Sequence, residues 1–575
     1  MLLIFLSFSI SGSWINRIAF GSITIEKHDI ETTNGRIVSF RVYKPSFNTY
    51  GQPLPAVLTI HGISSSGLMM DSFNIELARR NFTVVSLDTA GHGRSSERFS
   101  FGSLFDSVMD AFEAVRYIQL SDPDTDDSHY GILGHSLGAG ISLLFDNVTV
   151  QPSATVIIGG GMGDQFGGLT LPLNESAPRN LMIASGLYDE LVPQILAIET
   201  LKIATGIMEP EVGTTYGNFT EGTARKLVFS ATNHLFEISD AKIVSESIDW
   251  LGRALHGEQY AEESMLNPNQ LIYQFVSGFD LLASVSFVFT IFLLVLITYS
   301  RLPARFKPDR IQDIPEALET NSAVRFSIIL GIITSVLFLL LMLFGFIFEF
   351  TGVVLIPVSF GTSLSLISVL SCLVIIAISR RYLGKDKVQS FMIEVTSGKR
   401  HLLKNMFCAL ILLLPILFWI LMVSFIVRIG LDNPLVFTFA VDSGAILFRF
   451  IYLLALVILM LPIFYADTLW LNISVGIVAG WNNPSNLVRK TGQALINRLL
   501  GMVIIIGLLY LPFLAGLQLG FIMFIALLML PFMVLLGVTV LVTVWIGGIT
   551  RSNISPALMN AALFALVISS TFQLI

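Results

Sequence analysis

Cysteine is nearly missing from this chain of 575 residues, which has only Cys372 and Cys408, both in apolar stretches of its second half. The first half therefore has no disulfide to staple it, and the chain shows no Cys/His spacing of the kind that holds zinc. Charge is scarce too. Asp, Glu, Lys and Arg make up 13% of the residues, against about 25% in a soluble domain. The shortage is uneven. Residues 1–278 hold 16 Lys and Arg against 30 Asp and Glu, a net charge of −14, whereas 279–575 hold 18 against 11, a net of +7. The acidic first part has no basic stripe, which excludes nucleic acid as its partner.

Eight apolar runs follow residue 278, at about 279–300, 326–348, 353–379, 405–427, 446–469, 499–519, 521–548 and 556–575. Each approaches or exceeds the ~20 residues a helix needs to cross a bilayer. The expectation is an all-α transmembrane bundle of about eight helices over 279–575. The sixth and seventh runs join into one stretch, with Gly516 and Gly520 near the expected turn. Lys and Arg are retained on the cytoplasmic side. Arg301, Arg305, Lys307, Arg310 and Arg325 follow the first run, seven more (Arg380 to Lys404) the third, Arg489, Lys490 and Arg498 the fifth, and Arg551 the seventh. The opposite connections carry Arg428 and Arg449 alone. Sixteen against two puts the first connection inside and the domain of residues 20–260 outside, with 261–278 as linker. Asp442, Arg449 and Asp467 are among the charges within or near the runs. The first two are expected at the outer interface and Asp467 at the inner one.

Met1–Ile10 (MLLIFLSFSI) is apolar but too short to span. The segment 1–19 reads as a signal peptide or as a truncated anchor, without the basic start expected of either. The four Asn-x-Ser/Thr sequons within the domain of residues 20–260, at Asn81, Asn147, Asn174 and Asn218, read as chance, since Asn81 adjoins an expected strand.

Periodicity in the first half alternates between strand and helix. Extended segments at about 20–28 and 36–43 precede short apolar strands at 55–61, 82–88, 130–134, 154–159, 181–185 and 226–230. Helical stretches reach Arg80, cover about 102–120, follow residue 134 and close the domain at about 239–256. This is a doubly wound, mostly parallel α/β pattern.

The sequence Gly134-His135-Ser136-Leu137-Gly138 fits G-x-S-x-G and lies between a strand and a helix, as a nucleophile elbow requires. Gly134 and Gly138 are needed because side chains at either end of so tight a turn would collide with backbone. A serine hydroxyl is a weak nucleophile until a base takes its proton and an acid orients that base. In the order Ser, acid, His, the candidates are Asp189 in GLYDELVP (186–193) and His234 in NHLFEISD (233–240), both just beyond strands. Glu190 is a rival acid. His61 and His92 lie in glycine turns, His135 inside the elbow, and His28 ahead of the core sheet. A developing oxyanion needs fixed donors. The expected pair is the N–H groups of Leu137 and Ile63, with Gly62 letting the 61–63 turn fold back towards Ser136.

The segments HGISSSG, SLDTAGHGRSS, GHSLGAG, GLYDELVP and NHLFEISD together resemble the α/β-hydrolase superfamily, most closely its esterase, lysophospholipase and monoacylglycerol-lipase-like members. The resemblance covers about 36–256 and none of the membrane half. It implies an eight-stranded sheet, the Ser136–Asp189–His234 triad, and cleavage of carboxylic esters without cofactor or metal. Such lipases usually carry a cap before the acid-bearing strand. Here 160–180 is too short for one, and a longer segment, about 205–224, precedes the last strand. The expected function is a membrane-anchored serine hydrolase whose partners are membrane lipid and an ester or acylated substrate. Acyl transfer, peptide cleavage with the same triad, and a transporter carrying a regulatory hydrolase domain are the competing readings. The sequence specifies no oligomeric state.

Overall fold

Strands buried on both faces read as unbroken apolar runs, because a parallel sheet is covered by helices on each side. LPAVLTI and TVVSLD are such runs, and they form β3 (Leu54–Ile60) and β4 (Thr83–Asp88), buried at every position. The computed structural model describes residues 21–308, 325–340, 360–428, 446–479, 487–517 and 520–571, except 64, 96–103, 146–149, 162–164, 167–168, 327, 338 and 397. The segment 1–19, Asn147 and Asp442 therefore lie outside the described residues.

The remaining strands of the main sheet are β1 (Ile23–Glu31), β2 (Ile37–Pro45), β5 (Thr125–His135), β6 (Ala154–Ile158), β9 (Leu181–Gly186) and β10 (Arg225–Ser230), with β7 (Gln165–Phe166) and β8 (Leu169–Thr170) as a separate small hairpin. The eight strands run in the order β1-β2-β4-β3-β5-β6-β9-β10. The pairings β1–β2 and β2–β4 are antiparallel and the rest parallel. The chain passes from β3 out to β4 and returns to β5 on the other side of β3. The carboxyl ends of β3 and β5 thus flank the point where strand order reverses, the place where open α/β sheets form a crevice.

Helices α1 (Asp71–Ala78), α2 (Leu104–Ser121), α3 (Leu137–Leu144), α4 (Gln194–Thr205) and α5 (Ala241–Leu251) follow the strands in turn. Two apolar clusters result. One joins Phe40, Leu58, Val85 and Ile132 to Val108, Ala111 and Ile141, and the other joins Val57, Val84, Val156 and Met182 to Phe73, Leu77, Val244 and Ile248. The segment 206–224 runs beside β10, where Gly213 N–H donates to Leu227 O and Tyr216 bridges Arg225. It covers the outer edge of the sheet, which would otherwise offer unpaired backbone groups. Residues 266–273 are bound to the domain by one buried pair. Arg80 donates to the carbonyls of Leu266 and Asn267 and pairs with Glu76 at 2.8 Å, while Glu76 accepts from the N–H groups of Ile272 and Tyr273. Asn81 is buried, with its amide bonded to Thr49 and Tyr260.

The chain divides into two compact units, with the main boundary between Ser284 and Val285. In the second, four helical segments among the described residues are long and apolar enough to cross a membrane: Lys399–Trp419, Leu453–Ile473, Leu487–Leu514 and Ile522–Thr550. This is fewer than the eight runs of the sequence. The helices over Val288–Arg301, Ile328–Leu337 and Ile554–Leu566 are apolar but shorter as described. Arg498 is not a connection charge. It lies inside the helix Leu487–Leu514, fully buried, with Nε 3.3 Å from Asp467 Oδ1 and Nη1 donating to Thr334 at 3.1 Å. Asp467 also accepts from Trp470 Nε1 at 3.1 Å. The loop bias becomes fifteen against two.

Candidate active site

The strand β5 carries HYGILGH straight into α3, and Ser136 stands at the junction. Its backbone has φ 55° and ψ −113°, a conformation costly for a residue with a side chain and found where the surrounding structure enforces it. Two glycines enforce it here. A Cβ on Gly134 would lie 2.1 Å from the carbonyl oxygen of Gly138, and one on Gly138 would lie 2.2 Å from that of Ile60. The Ser136 N–H donates to Ile158 O at 2.9 Å, tying the elbow to β6.

Three side chains named from the sequence meet at this point. His234, on the loop after β10, places Nε2 2.9 Å from Ser136 Oγ. Its Nδ1 lies 2.9 Å from Asp189 Oδ2. With Nδ1–H donating to the carboxylate, Nε2 is left to accept the serine proton. Asp189, on the turn after β9, is fixed by its other oxygen, which accepts from the N–H groups of Leu191 and Val192 at 2.8 Å each. Burial works against its charge. The charge and hydrogen bond of His234, followed by the Val192 N–H, outweigh that and hold the carboxyl below the usual Asp range. Glu190, the rival acid, is turned elsewhere: its carboxylate accepts from the backbone N–H of His234 and from Asn233 Nδ2.

The turn after β3 closes over the elbow. A Cβ on Gly62 would lie 3.2 Å from Ser136 Cβ, so the 61–63 turn approaches the serine as closely as its lack of a side chain allows. Leu137 is the first residue of α3, where the backbone N–H groups have no partner within the helix. Ile63 is half-buried against the core. His61 holds the turn: Nδ1–H donates to Gly62 O at 2.7 Å and Nε2 accepts from Thr89 N–H at 3.1 Å. Burial lowers the pKa of His61, in keeping with that neutral tautomer. Beneath it, Asp88 accepts from Gly67 and Arg94 N–H and pairs with buried Arg41 at 3.2 Å.

The sequence pattern does not single out Glu237, which lies against the same cluster. Its Oε2 is 3.3 Å from His135 Nε2 and 3.6 Å from His234 Nδ1. The signal available was a Glu one turn after His234, on a loop that folds back onto the sheet. His135, His234 and Glu237 have ligand atoms within 4.8 Å of one another, the one such group among the described residues. The His234 nitrogen facing that group is already bonded to Asp189, and we assign no metal to it.

Residues 51–216 match the family described as serine aminopeptidase, S33. No curated protein matches the chain. Among solved structures, a hydrolase from Pseudomonas aeruginosa is 13% identical over 40% of this chain and 98% of its own, with a TM-score of 0.28. An esterase from Pyrococcus furiosus is 15% identical over 40% and 93%, with a TM-score of 0.29. The thioesterase domain of the curacin biosynthetic pathway is 16% identical over 39% and 99%, with a TM-score of 0.28. In its eight-stranded, mostly parallel sheet and its match over residues 51–216, the first half of this chain is similar to α/β-hydrolases.

Proposed function

We propose that the chain is a membrane-anchored serine hydrolase that cleaves carboxylic esters of lipid or acylated substrates. The observation that carries this reading is the continuous line Asp189–His234–Ser136, with both links at 2.9 Å. His234 Nε2 takes the hydroxyl proton as Ser136 Oγ attacks the ester carbonyl carbon. The N–H groups of Leu137 and Ile63 receive the oxyanion. The tetrahedral intermediate collapses, the C–O bond to the alcohol breaks, and His234 returns the proton to the leaving oxygen. Water then attacks the acyl-enzyme with His234 again as base, releasing the acid and restoring Ser136.

The substrate class follows from tethering: a site held beside a bilayer meets acyl chains at high effective concentration. Among its described residues the 160–180 connection forms a small hairpin and no helix, which supports an approach to Ser136 without a helical cap there. Counted over the connections between the eight apolar runs of the sequence, the fifteen-to-two bias of Lys and Arg favours an extracytoplasmic hydrolase domain. Cells expressing the chain, treated with a membrane-impermeant fluorophosphonate, should show labelling that disappears in Ser136→Ala. Labelling that persists in that variant refutes the nucleophile. Labelling that needs permeabilised cells refutes the outside placement. The family match to serine aminopeptidases favours peptide cleavage as the second reading, and parallel assays with ester and aminoacyl-amide substrates separate the two.

A further inference from the structure

The carboxyl of Glu237 is fully buried, yet the reaction described above gives it no part. Its Oε1 accepts from Gly186 N–H at 2.6 Å. The carboxyl also lies against two triad members: Oε2, a buried atom with no other hydrogen-bond partner among the described residues, is 3.6 Å from His234 Nδ1, and the Asp189 carboxylate is near enough to act on its titration. Two strand-end glycines make room for it. A Cβ on Gly159 would lie 2.2 Å from Oε2, and one on Gly186 would lie 3.3 Å from Oε1.

Two carboxyls in contact in a dry pocket cannot both be ionised. Asp189 is the better placed to hold the charge, because it accepts from Leu191, Val192 and His234, whereas Glu237 has the Gly186 N–H, a lesser contribution from the Ser185 hydroxyl, and a neutral His135 at 3.3 Å. Burial and then the charge of Asp189 push the Glu237 carboxyl well above the usual Glu range. The other titratable groups around it supply no counter-charge. Burial takes His135 down to about 3, so it is neutral, and Glu190 is turned to Asn233 and the His234 backbone.

We infer that Glu237 is a positioning residue that carries a proton at neutral pH and donates it to the Asp189 carboxylate. It thereby fixes the triad acid and keeps a single negative charge behind His234. This rests on the reading of Ser136, Asp189 and His234 given above. Ionisation of Glu237 at alkaline pH removes the donor and sets a second negative charge against Asp189, so acylation of Ser136 slows as that proton leaves.

The test measures the rate of fluorophosphonate labelling of the full chain in detergent across pH. Wild type should show a falling alkaline limb. Glu237→Gln keeps an acceptor for Gly186 and a donor for Asp189 but cannot ionise. It should label within about twofold of wild type at neutral pH and lack the alkaline limb. Glu237→Ala loses the donor and should label about ten- to a hundredfold more slowly, the range for one hydrogen bond to a charged group. A Gln variant as slow as the Ala variant, or one that keeps the limb, overturns the inference. Difference infrared spectroscopy gives a readout independent of labelling. A protonated-carboxyl C=O stretch should be present in wild type at neutral pH, vanish on alkaline titration and be missing from both variants. A wild type without that band overturns the inference while leaving the triad intact. A wild type that never labels at Ser136 overturns the triad reading itself.

Discussion

Gly138 and Ile60 are in backbone contact across the site: the Cβ that Gly138 lacks would lie 2.2 Å from the Ile60 carbonyl oxygen. The end of β3 and the start of α3 are thus seated on one another, and the 61–63 turn, proposed to receive the oxyanion, leaves β3 at the next residue. Gly138→Ala forces them apart. It should destabilise the domain by about 3 kcal/mol, the upper end for overpacking, and lower the Ser136 labelling rate in the fraction that folds. Thermal melting and labelling of the same sample check both.

On the proposed reading, Asp189, 2.9 Å from His234 Nδ1, orients that ring and stabilises the imidazolium formed during transfer. Asp189→Asn keeps the shape but offers an amide that favours the wrong tautomer. Ester turnover should fall by about 10⁴-fold, as when a buried triad Asp is so replaced, with KM nearly unchanged. Steady-state kinetics on a soluble ester decide this. A loss of less than tenfold would hand the acid role to a neighbour.

Four histidines of the hydrolase half are buried and held neutral, with burial the main cause in each case: His61 is lowered, His92 and His135 to about 3, and His256 to about 4. In the unfolded chain each titrates near 6.5. The unfolded state therefore binds more protons as pH falls, and stability declines with it. Melting temperature should drop steadily from about pH 6.5 towards 4. Asp189 and Asp88, both held below the ordinary Asp value of 3.8, add to the loss below that pH. Glu237 has the opposite sign: its raised pKa favours the fold fully below 4.5, and that contribution is lost as pH rises towards its folded value. A melting curve flat between pH 6.5 and 4 would contradict the neutral histidines.

Arg41 and Asp88 form a pair with side chains 3% and 0% exposed. Arg41→Met leaves the carboxylate buried without its cation, which costs about 3–5 kcal/mol in comparable sites. Since Asp88 also holds the N–H groups of Gly67 and Arg94, labelling at Ser136 should weaken along with stability. Denaturant melts of Arg41→Met alone and with Asp88→Asn are the measurement, and the double variant should recover part of the loss.

In the second unit, Arg498→Leu and Asp467→Leu each strand one buried charge, whereas the double replacement strands none. The double variant should be more stable in detergent than either single one. Thermal aggregation of the three proteins reads this directly.

Much of the first unit is legible in its residues because local and tertiary signals agree there. LPAVLTI and TVVSLD can be little other than buried strands, and GHSLGAG carries two glycines whose missing side chains the structure accounts for atom by atom. The misses have physical reasons. β5 begins at Thr125 rather than 130, because TDDSH has poor strand propensity and is held by pairing of Leu54 with Thr125 across a register shift. Glu237 escaped notice because its environment is assembled from β5, β6, β9 and β10, and no spacing encodes that convergence. Arg498 reads as a loop cation until Asp467, 31 positions earlier, is found against it.

That last pair bears on how the chain is made. An Arg or Asp at the centre of a lone helix costs roughly 2.5–3.5 kcal/mol to insert, so neither Leu453–Ile473 nor Leu487–Leu514 is a comfortable guest in lipid by itself. The Asp467 helix leaves the ribosome first and carries an unanswered charge until Arg498 follows. As membrane spans, the two segments would enter a bilayer most cheaply as a hairpin already closed on its own ion pair, so a mutation of either charge would be felt at insertion as well as in the finished protein.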